Sequence, residues 1–217
     1  MKYSALVLGF AMFAFVGCAN DNNDPVSKAA NHLANEGEKA EVAAQLKGQW
    51  TSACDSKGVL WSAVGIKSER VVLDFYSETG KTSQLFSDDN CQTQIGEATY
   101  TGTAIVGVDA AVADSRILDL NYTNVAIKIT DQAVVDALNN PLTPGCGIND
   151  WAANTARDVT SAAGGANCPI AKPSQSFDIV KTDGATLHLG LSEVGHDKST
   201  QEQRPVALDM ENGFSKK

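Results

Sequence analysis

The sequence predicts an all-β protein, an antiparallel up-and-down barrel of about eight strands. Beyond Gly48, apolar and polar residues alternate at the two-residue period of a strand. About eight segments show this alternation or a related strand composition, and that number closes a small barrel without open edges. A leading helix, a short helix near residues 131–139 and a disulfide-closed insertion complete the predicted architecture.

The first 17 residues have the layout of an export signal. Lys2 precedes an uncharged apolar run from Tyr3 to Val16, which is too short for a membrane span. The run leads into Gly17-Cys18, which resembles the end of the bacterial lipobox, where the cysteine is acylated, with palmitate among the usual chains. Signal cleavage after Ala19 is the alternative. We expect an exported lipoprotein anchored in the outer membrane through Cys18, on the periplasmic face or the cell surface.

Charge and length restrict the partners and the domain count. Residues 18–217 carry 16 basic and 26 acidic side chains, and the only basic cluster is the terminal Lys216-Lys217. Nucleic acid and anionic lipid headgroups are therefore not expected partners. The predicted organisation is a signal peptide at 1–17, a tether and leading helix at 18–45, and one monomeric barrel domain at 46–217.

Cysteine usage supports export. The chain has five cysteines, and assigning Cys18 to the lipid leaves Cys54, Cys91, Cys146 and Cys168. Three pairings are possible, and we favour Cys54–Cys91 with Cys146–Cys168 because each closes a local segment. No Cys-x-x-Cys occurs and no histidine lies near a cysteine at ligand spacing, so we expect no metal and no other cofactor.

Local patterns assign most of the chain. Helical composition extends from Pro25 to Leu46, and residues 131–139 have an N-cap and helix formers. Asp183-Gly184 predicts a hairpin turn. A one-residue change of phase at Thr123-Asn124 predicts a β-bulge. The predicted strands lie at 50–54, about 61–76, 81–87, 95–108, 117–129 (with the bulge), 177–179, 187–191 and 206–210.

The segment from 141 to 173 interrupts this pattern. It is rich in Gly, Ala and Asn and has no sustained period. We expect the Cys146–Cys168 bond to close it into a flap, with a short helix over 151–159 that presents Trp151.

Gly48-x-Trp50, after a helix and at the start of the first strand, resembles the signature of lipocalins and bacterial lipocalin-like lipoproteins. The resemblance implies that Trp50 closes the barrel floor beneath a basic residue from near the last strand. Arg204 is the expected counterpart, through a cation–π contact.

Aromatic residues are the candidate ligand contacts. Phe75, Tyr100, Tyr122 and Phe177 lie on the predicted apolar faces, where they either line a cavity or fill the interior. Trp61 and Trp151 lie in loop-like sequence, where they either guard an entrance or pack on the surface.

Catalytic motifs are weak. Ser192 lies in Gly-x-Ser-x-x-Gly, one residue longer than a nucleophile elbow, with His188 and His196 nearby. His188, Glu193, His196 and Asp197 also offer metal ligands, but the strand pattern directs His188 to solvent. We therefore expect no enzyme. The leading hypothesis is an envelope protein that binds a small apolar or amphipathic molecule, such as a lipid. The alternative is a structural or inhibitory module whose filled barrel displays the flap to another envelope protein. A serine hydrolase that uses Ser192 with His188 or His196 is the third and least favoured hypothesis.

Overall fold

The computed structural model describes residues 25–56, 65–76, 79–165, 167–168 and 170–217, with side chains described from residue 36 onward. The chain divides into two units, 1–36 and 37–217. The described part of the first unit is entirely helical. The second unit contains all the described strands. Cys18 and Trp61 lie outside the described residues.

Two α-helices, a 3-10 helix at Gly145–Gly147 and nine strands make up the described secondary structure. Helix α1 spans Pro25–Leu46, as the composition predicts, and α2 spans Gln132–Leu138. The strands are β1 Gln49–Ser52, β2 Ser68–Phe75, β3 Thr79–Phe86, β4 Gln94–Asp109, β5 Arg116–Ile129, β6 Ala156–Asp158, β7 Gln175–Thr182, β8 Thr186–Leu189 and β9 Phe214–Lys216.

The predicted eight-stranded antiparallel barrel is confirmed. Strands β1 to β5 and then β7 to β9 pair in chain order, and β9 pairs with β1 to close the ring. Strand β6 is a ninth strand that pairs only with β5. The hairpin turn between β7 and β8 is also confirmed, with Gly184 at φ +89°, a conformation that favours glycine.

Two predicted strand positions are wrong. The second strand begins at Ser68 rather than near residue 61. The last strand is Phe214–Lys216 rather than 206–210, where Val206 and Met210 are exposed and Leu208 forms only an isolated bridge with Gly190. The segment 190–213 instead runs along the edge of β7, where Gly190 N donates to Ile179 O and Phe177 N donates to Lys198 O. Alternation alone cannot distinguish this irregular segment from a strand.

The predicted bulge is confirmed at Thr123. Thr101 pairs with Asn124 and Gly102 pairs with Tyr122, so Thr123 is the extra residue on β5. Leu120 and Val125, on either side of the bulge, are therefore both buried in the interior although they are five residues apart.

The insertion closes one end of the barrel. Both predicted disulfides are present, Cys54–Cys91 and Cys146–Cys168. The predicted helix over 151–159 is wrong, because Ala156–Asp158 is strand β6. Trp151 is 4% exposed, and its Nε1 donates to Gly145 O at 3.0 Å. It belongs to the core cluster that joins α2 and the insertion to the buried side chains of β4 and β5. It therefore does not guard an entrance.

The opposite end is the floor, around Trp50. Trp50 is fully buried, and its Nε1 donates to Leu46 O, the last residue of α1, at 2.7 Å. The expected cation over its ring is present, but the residue is Lys216, with Nζ 4.9 Å from the ring centroid, and not Arg204. Register explains the correction, because Lys216 pairs directly with Trp50 across β1 and β9. Gly48, at φ +137°, leaves room for the Lys216 side chain.

None of the helices in the described part of the chain combines the length and the apolar character needed to cross a membrane.

Candidate functional site

A cavity of about 330 Å³ lies within the barrel, bounded on one side by the end of the insertion. The inner faces of seven barrel strands contribute to its wall, and residues 171–174 of the insertion contribute a further part. Its apolar lining consists of Val71, Leu73, Leu120, Leu189, Phe214 and the rings of Tyr100 and Tyr122. The volume is near the lower end of the range typical of small-molecule sites.

One interior ion pair lies in this wall. The Oδ2 atom of Asp178 is 2.8 Å from Lys198 Nζ, and the two side chains are 3% and 19% exposed. The Oδ1 atom of Asp178 accepts hydrogen bonds from the backbone N–H groups of Ile179 and Gly190. Asp178 on β7 therefore holds the segment that follows β8 in place and neutralises Lys198.

Lys81 is a further cation in the wall, beside Lys198 and the exposed Lys172. It lies on β3 between Leu73 of β2 and Tyr100 of β4, and its Nζ is 5.5 Å from the Tyr100 ring centroid. Among the described residues, no hydrogen bond or ion pair partner is found for this amine. Burial lowers the pKa of the Lys81 amine, Glu69 partly opposes the change, and Lys198 adds to it.

Two tyrosines bring phenol groups to the cavity. Their rings meet edge to face at 5.9 Å. The hydroxyl of Tyr100 donates to Ala171 O at 3.0 Å, which attaches the insertion to the barrel. Burial raises the pKa of Tyr100 to about 12, and burial also raises the pKa of Tyr122. Both phenols are therefore neutral near pH 7. The one proton of the Tyr100 hydroxyl is donated to Ala171 O, so Tyr122 is the phenol available as a hydrogen-bond donor.

The structure separates the predicted ligand contacts. Tyr100 and Tyr122 line the cavity, whereas Phe75 lines a different recess beside the end of α1. Phe177 is on the opposite face of β7 from the cavity residues, and Arg204 covers its ring at 5.7 Å. Its predicted place inside the barrel is therefore wrong. As described above, Trp151 is part of the core.

Apart from the two tyrosines, the sequence patterns did not identify the polar residues of the wall, which are Lys81, Lys172, Ser174, Ser176, Asp178 and Lys198. In β7 the sequence pattern assigned Phe177 and Ile179 to the interior of the barrel, because these are the more apolar residues. The only sequence signal for Lys81 is its place in the strand alternation, which puts it on the same face as Thr79, Ser83 and Leu85. The structure buries all three of these residues.

The alternative chemical sites are not assembled. The Nδ1 atom of His188 contacts Asp209 O at 3.0 Å, and that of His196 contacts Arg204 O at 2.8 Å. Neither imidazole is found in contact with Ser192. His188 is also half-buried, contrary to the expectation that it faces solvent. Within the described ranges, no three His, Cys, Asp or Glu side chains converge as metal ligands.

No family model matches the sequence, and no curated protein matches it at a significant level. The likeness to lipocalins is therefore one of motif and barrel architecture.

Proposed function

We propose that the protein binds a small amphipathic molecule inside the barrel, without catalysis, as a lipoprotein of the cell envelope. The cavity between the barrel strands and residues 171–174 is the observation that carries the binding proposal. Its wall combines an apolar majority with a few polar groups, as ligand sites in proteins commonly do. Such a wall accommodates a short apolar body and gives it a preferred orientation.

The position of the cavity also supports binding. Trp50 and Lys216 close the floor, while the insertion covers the other end through contacts such as Tyr100 with Ala171. The apolar side chains between these ends face a space that the protein itself does not fill. Transfer of an apolar ligand from water to this space is favourable in proportion to the apolar surface that it buries.

The proposed envelope location depends on the first 18 residues, with Cys18 as the lipid-modified residue. The substitution Cys18→Ser tests it, because it removes the thiol that would carry the lipid. The proposed absence of catalysis depends on the lack of a recognised nucleophile motif, and the contacts of His188 and His196 with backbone carbonyls are consistent with it.

A cavity-filling substitution tests the binding proposal. Ser176 lies on the inner face of β7 and lines the cavity, so Ser176→Phe should occupy the space that the ligand needs. Native mass spectrometry of the purified protein reports any ligand carried from the cell, and calorimetric titration with octanoate and octanol measures binding directly. We expect the wild type to bind and Ser176→Phe to lose at least about tenfold in affinity.

The matched control is Ser215→Phe, which makes the same change at an exposed position of β9. It should bind as the wild type does. Equal binding by Ser176→Phe, with its fold verified by circular dichroism, would place the ligand elsewhere and refute the proposal.

A further inference from the structure

We infer that the ligand of this cavity carries an anionic oxygen group, of which a carboxylate is the simplest form, and that this group pairs with the Lys81 amine. The inference rests on the proposed function, because it names the class of ligand for the same cavity. The proposed function is that the cavity binds a small amphipathic molecule, and the inference adds that this molecule is negatively charged.

The two interior lysines differ in their ion-pair partners. Lys198 has a carboxylate partner at 2.8 Å in Asp178. Lys81 lines the same cavity, but no carboxylate of a described residue lies within ion-pair distance of its amine. Lys172 also lines the cavity, but its side chain is exposed to solvent. Of the two lysines in the interior part of the wall, Lys81 is therefore the one without a counter-ion among the described residues.

Glu69 is the acidic group whose charge acts on Lys81. Glu69 is on β2, and its Oε1 accepts a hydrogen bond from Ser83 Oγ at 3.4 Å. Its charge acts on Lys81 from beyond ion-pair distance and only partly offsets the effect of burial. An anion bound in the cavity can approach the amine more closely and gains a charge-assisted hydrogen bond.

The cavity also offers a neutral hydrogen-bond donor, the hydroxyl of Tyr122. Tyr122 lines the same cavity, and no hydrogen bond from its hydroxyl to another described residue is found. A ligand oxyanion can therefore accept from the Lys81 ammonium and from a neutral phenol. The apolar body of the ligand would lie against Leu73, Leu120 and Phe214, which belong to the same wall.

Binding of an anion should be coupled to protonation. The titratable groups that face Lys81 or share its cavity are Glu69 on β2, Tyr100 on β4, Tyr122 on β5, Lys172 of the insertion, Asp178 on β7 and Lys198 on the segment after β8. A bound anion favours the charged amine and raises the Lys81 pKa above its value in the free protein. Between these two pKa values, binding takes up a proton. Affinity should therefore fall as the pH rises through the pKa of the free protein.

Four eight-carbon probes test the inference on the full-length protein: octanoate, octyl sulfate, octanol and octylammonium. We expect the wild type to bind octanoate and octyl sulfate about tenfold or more tightly than octanol, and octylammonium most weakly. Calorimetry of octanoate in buffers with different ionisation enthalpies should also reveal proton uptake.

Lys81→Met keeps the length of the side chain and removes the amine. It should reduce the preference for octanoate over octanol to near unity while octanol still binds. Lys67→Met is the matched control, since Lys67 is exposed, and it should keep the preference of the wild type. If Lys81→Met does not fold, Lys81→Arg provides a second variant that should retain anion binding.

The outcomes distinguish the two proposals. If octanol binds the wild type as tightly as both anions do, the inferred anion site is refuted and cavity binding stands. An unchanged octanoate preference in a folded Lys81→Met protein also refutes the anion site. If none of the four probes binds the wild type at millimolar concentration, the proposed binding function fails as well.

Discussion

The interior ion pair between Asp178 and Lys198 allows a quantitative test of how the barrel is stabilised. The perturbations are Asp178→Asn, Lys198→Met and the double variant. In the wild type the two charges are 2.8 Å apart, and both side chains are largely buried. The Asn variant can still accept hydrogen bonds from Gly190 N and Ile179 N, so it removes mainly the charge.

The expected magnitude follows from burial. Loss of one partner leaves an uncompensated charge in the interior, which costs about 3 to 5 kcal/mol of unfolding free energy. In a protein of this size, 1 kcal/mol moves the Tm by about 2 to 4 °C, so each single variant should lose about 6 to 20 °C. The double variant removes both charges and should lose less than the sum, with a coupling energy of about 1 to 3 kcal/mol.

The assay is thermal and urea unfolding, followed by circular dichroism with the disulfides intact. The matched control is the pair of Lys181 and Asp114, which also involves β7 but has side chains that are 40% and 81% exposed. Its coupling should stay below about 1 kcal/mol, because exposed pairs are screened by solvent. If the effects of Asp178→Asn and Lys198→Met add within about 0.5 kcal/mol, the pair is not coupled and the reasoning is wrong.

Three further predictions concern other parts of the chain. Gly48→Ala should lower the unfolding free energy by about 1 to 3 kcal/mol in urea titrations, because Gly48 has φ +137° and a Cβ there would lie 3.0 Å from Lys216 Cε. The control Gly37→Ala has no atom within 4 Å of its Cβ and should be neutral or stabilising; equal effects would contradict the argument. Backbone N–H groups, that of Gln92 foremost, lower the Asp88 pKa from 3.8 to about 2, so this carboxylate stabilises the fold above about pH 4 and loses that effect as the pH falls through about 2. NMR titration should show that pKa, and Asp88→Asn should flatten the acid dependence of stability in this range; an ordinary pKa would contradict it. Cys18→Ser should abolish acylation and release the protein from the membrane fraction, and a variant still retained there would count against lipidation.

Several features could be predicted from sequence because they depend on neighbours along the chain. The N-cap of α2 is a local contact, in which Asp131 Oδ1 accepts from Val134 N at 3.1 Å. The bulge at Thr123 follows from a phase change within one strand. The disulfide pairing follows from short separations, and the hairpin turn follows from Asp183-Gly184.

The candidate site was less predictable because its residues come from strands that are distant in sequence. Of the predicted contacts that lie in the described part of the chain, only Tyr100 and Tyr122 reach the cavity. The error in β7 has a physical cause. Its outer face is covered by residues such as Arg204, so apolar residues occur on both faces and their alternation no longer identifies the interior.

The amino-acid sequence by itself therefore indicated the barrel class, the strand alternation and the bulge, and it favoured the observed cysteine pairing among three, because all of these depend on local spacing. The tertiary structure alone decided that Lys216 covers Trp50, that Asp178 faces inward and that Lys81 enters the cavity without a counter-ion among the described residues. These outcomes depend on register between strands far apart in the chain, and a shift of one residue moves a side chain to the other face.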